Sequence, residues 1–382
     1  MPSLGLNCII MIDSETKSNV SFSISHGSFV GTRDRLALCG ISGKNKYCLQ
    51  VLDMLENDEG IFEPLQVFSE TFQGKCTDLV VCGDRNKAKV YLALASMETN
   101  SNNNNNINNN AATVSLLDLE SSISGKEMDL PGFTVPSTYV FSSLTFSSDQ
   151  MILAAASEAG GITLRDLSRL ENTNATKNNN NNNGNDSSNM LICDRIDPCG
   201  INDIEFNRSG MLVVAGRSSK DGPTVWDFRQ SPTKGPAIKL HRSHSSSSST
   251  YNNYNGYNTT LSCIRPHPTS DVVYAGTDEG IVQKWDLRAP GSMCSAAMAH
   301  TDVITGLVMH PHPSVVDGVV SSSLDGSVRE VFFSNSDVVA PKALISEAGA
   351  VNQLDLHADS RSILAVSALG TLTVKELGAS TF

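Results

Sequence analysis

Apolar and polar residues alternate in short runs along most of this chain, and each run stops at a turn. The clearest is Gly280-Ile281-Val282-Gln283-Lys284-Trp285-Asp286-Leu287-Arg288. A glycine opens it. Period-two alternation puts Ile281, Gln283 and Trp285 on one face and Val282 and Lys284 on the other. The run predicts a short strand that leaves a turn and ends in Trp-Asp. Thr224-Val225-Trp226-Asp227-Phe228-Arg229 repeats the cadence. Five more strand ends carry a large residue and usually an acid: Leu52-Asp53, Leu117-Asp118, Arg165-Asp166, Val331-Phe332 and Lys375-Glu376.

These seven ends stand 65, 48, 61, 59, 46 and 44 residues apart. A four-stranded repeat unit takes about 40–45 residues. The three long intervals each hold a tract dominated by asparagine or serine: Asn102 to Asn110, Asn172 to Asn189, and Ser243 to Asn258. Asparagine and serine cannot bury enough apolar surface to order a segment, so these tracts predict loops at about 97–111, 172–189 and 243–259. With them removed, the spacing is close to one period. Each unit then divides into short strands, for example Ile201–Phe206, Met211–Gly216 and Pro223–Phe228, or Val351–His357, Ile363–Ala368 and Thr371–Leu377.

A repeated glycine, strand and Trp-Asp unit resembles the blade of a WD-repeat β-propeller. The expectation is an all-β chain, 1–382, forming one seven-bladed propeller. Only five residues follow Leu377, too few for a last outer strand, while Cys8–Ile12 is an apolar strand without a neighbour. Pairing Cys8–Ile12 with the last blade would close the ring and remove open edges.

Composition narrows the function classes. Charged residues make up 18 %, and net charge is −12 with no basic stretch. That argues against direct nucleic-acid binding, which needs a cationic surface. Nine scattered cysteines without a C-x-x-C pair suit reduced thiols more than a disulfide or zinc framework. No apolar run reaches the roughly 18 residues of a membrane helix.

Few residues offer chemistry. His300 and Asp325, 25 residues apart, with a hydroxyl from Ser321, Ser322 or Ser323, suit a buried hydrogen-bonded network more than a Ser-His-Asp nucleophile. Trp226, Asp227, Trp285, Asp286, His300 and Asp325 are the expected structural positions. His267, His310 and His312 sit in proline-rich turns without a fourth ligand, so no metal is expected. No cofactor, catalytic residue or small-molecule substrate is expected, and the inner strands read as apolar with Ser and Thr. Arg229 and Arg288 each follow Trp-Asp by two residues and are candidate partner contacts. Arginine at this place occurs in WD-repeat substrate receptors that dock on the cullin-4 ligase adaptor.

The run from Trp226-Asp227-Phe228-Arg229-Gln230 through Pro266-His267-Pro268, Trp285-Asp286-Leu287-Arg288, Ala299-His300 and Met309-His310-Pro311 to Leu324-Asp325-Gly326-Ser327 resembles the small WD-repeat nucleoporins of the Y-shaped nuclear pore complex, nucleoporin 43 in animals. Val351-Asn352-Gln353-Leu354-Asp355 is similar to that family's last blade. The resemblance covers roughly residues 222–376. It implies a non-catalytic scaffold subunit of the pore's outer ring, supporting transport of protein and messenger RNA, with outer-ring proteins as partners. It also implies a nuclear-envelope location and a visit to kinetochores in mitosis. The competing expectation is a cullin-4 substrate receptor.

Overall fold

Short alternating strands close into sheets only when a neighbour covers each apolar face, and here every sheet is covered by the next. The structure is a computed structural model. It describes residues 7–10, 23–30, 35–43, 46–56, 62–73, 75–83, 90–98, 111–119, 129–136, 140–168, 190–194, 196–218, 222–241, 259–289, 293–310, 317–333, 340–346, 349–357 and 362–377. The described strands form seven antiparallel sheets of four strands each. The protein is an all-β β-propeller.

Six of the sheets are blades made of four consecutive strands. They span 23–73, 75–136, 141–193, 201–239, 261–298 and 304–346 and are numbered 1 to 6 below. The last sheet is composite. Val351–Leu356, Ser362–Ser367 and Leu372–Glu376 come from the C-terminal end, and Asn7–Ile10 supplies the outer strand. Cys8 lies opposite Val374 and Ile10 opposite Leu372. The expectation of seven like blades is therefore corrected in form. Six blades, not seven, are continuous in sequence, and the remaining sheet exists only because the two ends of the chain meet.

The core lies between sheets. Ala37, Leu49 and Val51 of blade 1 pack on Cys76 and Leu79 of blade 2. Equivalent layers follow around the ring, and the last is the closure. Ile24, Leu36, Leu38 and Leu52 of blade 1 pack against Leu364, Val366, Leu372 and Val374 of the composite sheet. Ring closure thus rests on a buried aliphatic layer as well as on the terminal strand.

The innermost strands share one distortion. In all seven the register slips once, skipping Ser25, Thr77, Ser142, Asn202, Ser262, Thr305 and Asn352. All seven are polar. A bulge turns the skipped residue out of the ladder and frees its side chain to bond elsewhere. Ser142 Oγ donates to Ile201 O at 2.6 Å, Asn202 Nδ2 to Leu261 O at 2.6 Å, Ser262 Oγ to Ile304 O at 2.6 Å and Thr305 Oγ1 to Val351 O at 2.7 Å. Each bond reaches the same place on the next sheet, so blades 3 to 6 and the composite sheet are stitched in series.

The expected strand ends sit at the ends of third strands, as in Thr224–Trp226, Ile281–Asp286 and Ser327–Phe332. Ile201–Phe206 coincides with its expected range. The first unit differs. Its inner strand is Ser23–Phe29 instead of Val20–Ser25, and its outer strand runs twelve residues, Phe62–Gln73. The three Asn/Ser tracts lie almost wholly outside the described residues, as do His312 and its flanking prolines.

Candidate functional site: a polar channel, a buried buttress and two arginine corners

Residues that point inward from the seven inner strands enclose a cavity of about 580 Å³ along the ring axis. Its wall is polar and acidic. Asp78, Asp203, Glu205 and Asp355 face it, with Arg265 among them. This corrects the reading of the inner strands as apolar with Ser and Thr. One or two acids in a strand are inconspicuous in the sequence, and only ring closure brings the four, from three strands, together.

Most of this acidity is engaged in structure. Asp78 accepts Leu79 N at 2.8 Å and, across the blade boundary, Leu144 N at 2.6 Å. Asp203 accepts Ser143 Oγ at 2.7 Å, Ile204 N at 2.9 Å and Ile264 N at 2.8 Å, joining three blades. Asp355 takes Ser28 Oγ and Phe29 N, both at 2.8 Å, across the closure. Arg265 lies 3.4 Å from Glu205 and donates to Leu307 O at 2.9 Å. Enclosure by protein disfavours the charged form of each acid. It pushes the Asp78 carboxyl up to about 7 against two backbone amides that oppose it. Burial raises Asp203 and Glu205 as well, with Arg265 opposing in both. Arg265 is held more firmly protonated by Glu205 first, then by Asp203 and Asp355.

The expected His-Asp-Ser network forms in blade 6. His300 is buried, and its Nδ1 lies 3.1 Å from Asp325 Oδ2 and 3.0 Å from Ser327 Oγ. Its Nε2 lies 2.8 Å from Ser321 Oγ, so Ser321 is the hydroxyl of the three candidates. A proton on Nδ1 satisfies the carboxylate and leaves Nε2 to accept from Ser321. Burial is the main cause that lowers the His300 pKa, against the pull of Asp325. Asp325 lies at about 2, because amide and hydroxyl bonds from Ser327 and Thr301 outweigh its burial. With Ser321 at 0 % exposure, no substrate atom reaches the hydroxyl. Blade 4 builds the same bridge from other residues: Asp197 takes Ser218 Oγ at 2.5 Å and Cys199 N at 2.8 Å.

The tryptophans are wedges between blades. Trp285 packs on Val213, Ala215 and Val225 of blade 4, and its indole Nε1 donates to Gln283 Oε1 at 3.2 Å. Trp226 faces blade 3 and donates to Thr224 Oγ1 at 3.1 Å. Val331 takes the corresponding place in blade 6, where Tyr274 and Phe333 fill the volume at 5.6 Å between rings.

Arg229 and Arg288 stand at matching corners. Arg229 grips Asp227 with Nε at 2.7 Å and Nη2 at 3.0 Å, and Arg288 grips Asp286 at 3.0 and 2.7 Å. They remain 69 % and 72 % exposed. The arginine bond lowers the pKa of each aspartate. Both corners therefore present an ordered guanidinium whose outer edge faces solvent.

The proline-turn histidines part company. His267 Nδ1 accepts Ser270 N at 3.1 Å and caps its turn, while His310 is buried with Nε2 3.2 Å from Glu330. Among the described residues, no group of three His, Cys, Asp or Glu side chains is placed to hold a metal ion. Nor is any helix among them long and apolar enough to cross a membrane.

A ring of four-stranded sheets with a buried His-Asp buttress and Trp-Asp strand ends defines a WD-like propeller scaffold. Among solved structures it is similar to the WD-repeat protein Sqt1 of Chaetomium thermophilum, solved bound to the N-terminus of the ribosomal protein L10. That likeness has a TM-score of 0.62 at 14 % identity and covers 90 % of this chain and 81 % of the other. Solved chains similar to this fold number 1425, so fold likeness alone selects no function. No family model matches the chain, and no curated protein matches it in sequence.

Proposed function

We propose that this protein is a non-catalytic scaffold of seven blades, the composite sheet being the seventh, and that it works as a subunit of the nuclear pore outer ring. The observation that carries the scaffold reading is the use of its polar groups. Asp78, Asp203 and Asp355 accept backbone amides of neighbouring sheets, and the His300 ring and Asp325 carboxylate are held by each other and by Ser321, Ser327 and Thr301. Groups so committed stiffen a ring. Support for the pore assignment is the order of motifs from Trp226 to Asp355, similar to the small WD-repeat nucleoporins. The solved neighbour holds a peptide of another protein, which suits protein partners for this chain too. On this reading the protein resides at the nuclear envelope and carries no substrate or cofactor.

A tagged copy is expected to mark the nuclear rim and to co-purify outer-ring proteins. A diffuse signal with no pore protein recovered refutes the pore assignment. The exposed, matched Arg229 and Arg288 favour one second reading, a cullin-4 substrate receptor. Under that reading the ligase adaptor is recovered by the wild type and lost when both arginines become glutamate.

A further inference from the structure

Five corners of the ring are equivalent by their backbone bonds. The residue after each second strand returns its amide to the loop entering its own sheet: Glu158 to Val140, Arg217 to Gly200, Asp278 to Thr260, Leu324 to Val303 and Ala368 to Ala350. All five therefore lie on one face of the disc. Blades 3 to 5 fill the corner with Glu158-Ala159, Arg217-Ser218 and Asp278-Glu279. Blade 6 and the composite sheet depart from this. Leu324 is 38 % exposed, and Leu369, which takes the place Asp325 has in blade 6, is 68 % exposed.

Both leucines are held out on fixed turns. The Asp325 buttress anchors the turn of Leu324. Leu369 N donates to Ser367 Oγ at 3.2 Å, and its side chain lies over Gly349 in the entering loop. Val303 and Ala350 complete the strip. Rigid presentation of apolar side chains to water costs free energy that a partner would recover. The rim is acidic on the blade 5 side, where Asp302 is exposed and Asp278 and Glu279 stand on the adjacent corner, with Arg217 one corner further on. The chain as a whole carries −12.

We propose that the strip Val303, Leu324, Ala350 and Leu369 is a docking surface for a short cationic segment of another protein that carries apolar side chains. Apolar contacts supply affinity, and the acidic rim selects basic partners. A second copy of this chain fits less well, because a two-fold contact through the strip would set the same acids against each other.

The test uses the full chain and a short fluorescein-labelled peptide of alternating leucine and lysine, read by anisotropy. Binding is expected, weakening as salt rises. Leu324→Ser with Leu369→Ser is expected to reduce affinity about tenfold or more while the variant stays folded by circular dichroism, since neither side chain lies in the layers between sheets. A peptide with glutamate in place of lysine is expected not to bind. Equal binding by the double variant, equal binding of the glutamate peptide, or no binding by the wild type overturns the proposal. So does a wild-type dimer in sedimentation that the double variant dissolves, because the strip then belongs to a second copy.

Discussion

Replacing Asp325 with asparagine removes one charge from a buried network and changes little else in shape. The carboxylate accepts Thr301 N at 3.1 Å, Ser327 N at 2.9 Å and Ser327 Oγ at 2.6 Å, and faces His300 Nδ1 at 3.1 Å. Asparagine keeps one acceptor oxygen. If that oxygen serves Ser327, the new amide donors meet the Thr301 amide and the His300 ring. Loss of one charge-assisted bond costs roughly 1.5–3 kcal/mol. The bonds from Ser327 and Thr301 hold the carboxyl at about 2, below the usual carboxylate range. Its folded value lies below its unfolded one, so the contribution of these bonds is full above about pH 4 and is lost as pH falls through about 2. Amide exchange at Thr301 and Ser327 reads the local loss without requiring two-state unfolding of the ring. Exchange should quicken roughly thirty-fold at neutral pH, the equivalent of about 2 kcal/mol. The gap between wild type and variant should narrow as the solution is acidified below pH 4. Unchanged exchange at neutral pH, or a penalty constant down the acid limb, refutes the reasoning.

The channel acids predict the opposite slope. Asp78 has a folded pKa of about 7, above its unfolded 3.8, so the native state holds a proton that the unfolded chain releases. Stability then falls as pH rises across that window, by up to about 1.4 kcal/mol per pH unit. Melting temperatures of Asp78→Asn relative to wild type should rise from pH 5 to pH 8, and a flat difference would count against the assignment. Asp203→Ala should cost about 2 kcal/mol or more, because Ile264 N and Ser143 Oγ lose their acceptor across two blade boundaries. Urea unfolding checks this, and a midpoint equal to wild type contradicts it. Gly280 has φ of 78°, and a Cβ there would sit 2.3 Å from His300 O, whereas Gly210 has φ of 71° and open space. Gly280→Ala should therefore lower the melting temperature well beyond Gly210→Ala, whose cost is limited to about 1–2 kcal/mol of left-handed backbone. Equal shifts for the two variants would remove the packing argument.

Strand positions were legible because strand, turn and Trp-Asp recur at a spacing that few other folds share. Third strands are the plainest, since Trp285 and Trp226 must be large to span the gap to the preceding blade. Outer strands were the least legible, apart from the N-terminal one at Asn7–Ile10, which the missing partner of the last blade called for. Lys342–Ser346 is covered on little of its surface, with only Ile345 buried, so no alternation marks it in the sequence. The His300 to Asp325 bridge could be read from residue type, but its counterpart Asp197 to Ser218 could not, because the same geometry there uses an acid and a hydroxyl. The channel was misread for a different reason. Asp78, Asp203 and Asp355 lie on strands far apart in sequence, and no local pattern records that they converge. The bulge offers a usable signal. Ser25, Thr77, Ser142, Asn202, Ser262, Thr305 and Asn352 are each a polar residue at the same step of an inner strand, and aligning the units on them puts Asp78 and Asp203 one position later and Glu205 and Asp355 three positions later.

That alignment separates what the ring needs from what it does not. A polar residue at the bulge and an apolar layer between sheets recur at all seven steps, and a bonded corner after the second strand recurs at five. Where a unit keeps the backbone bond and abandons the usual side chain, closure is not the cause. Leu369 occupies the place that holds Asp325 in blade 6, and Leu324 the place that holds Asp278 in blade 5, yet both turns keep their amide bonds to the entering loop. The ring would close as well with a polar residue at either corner. The two leucines therefore bear on the proposed docking strip and not on closure of the ring.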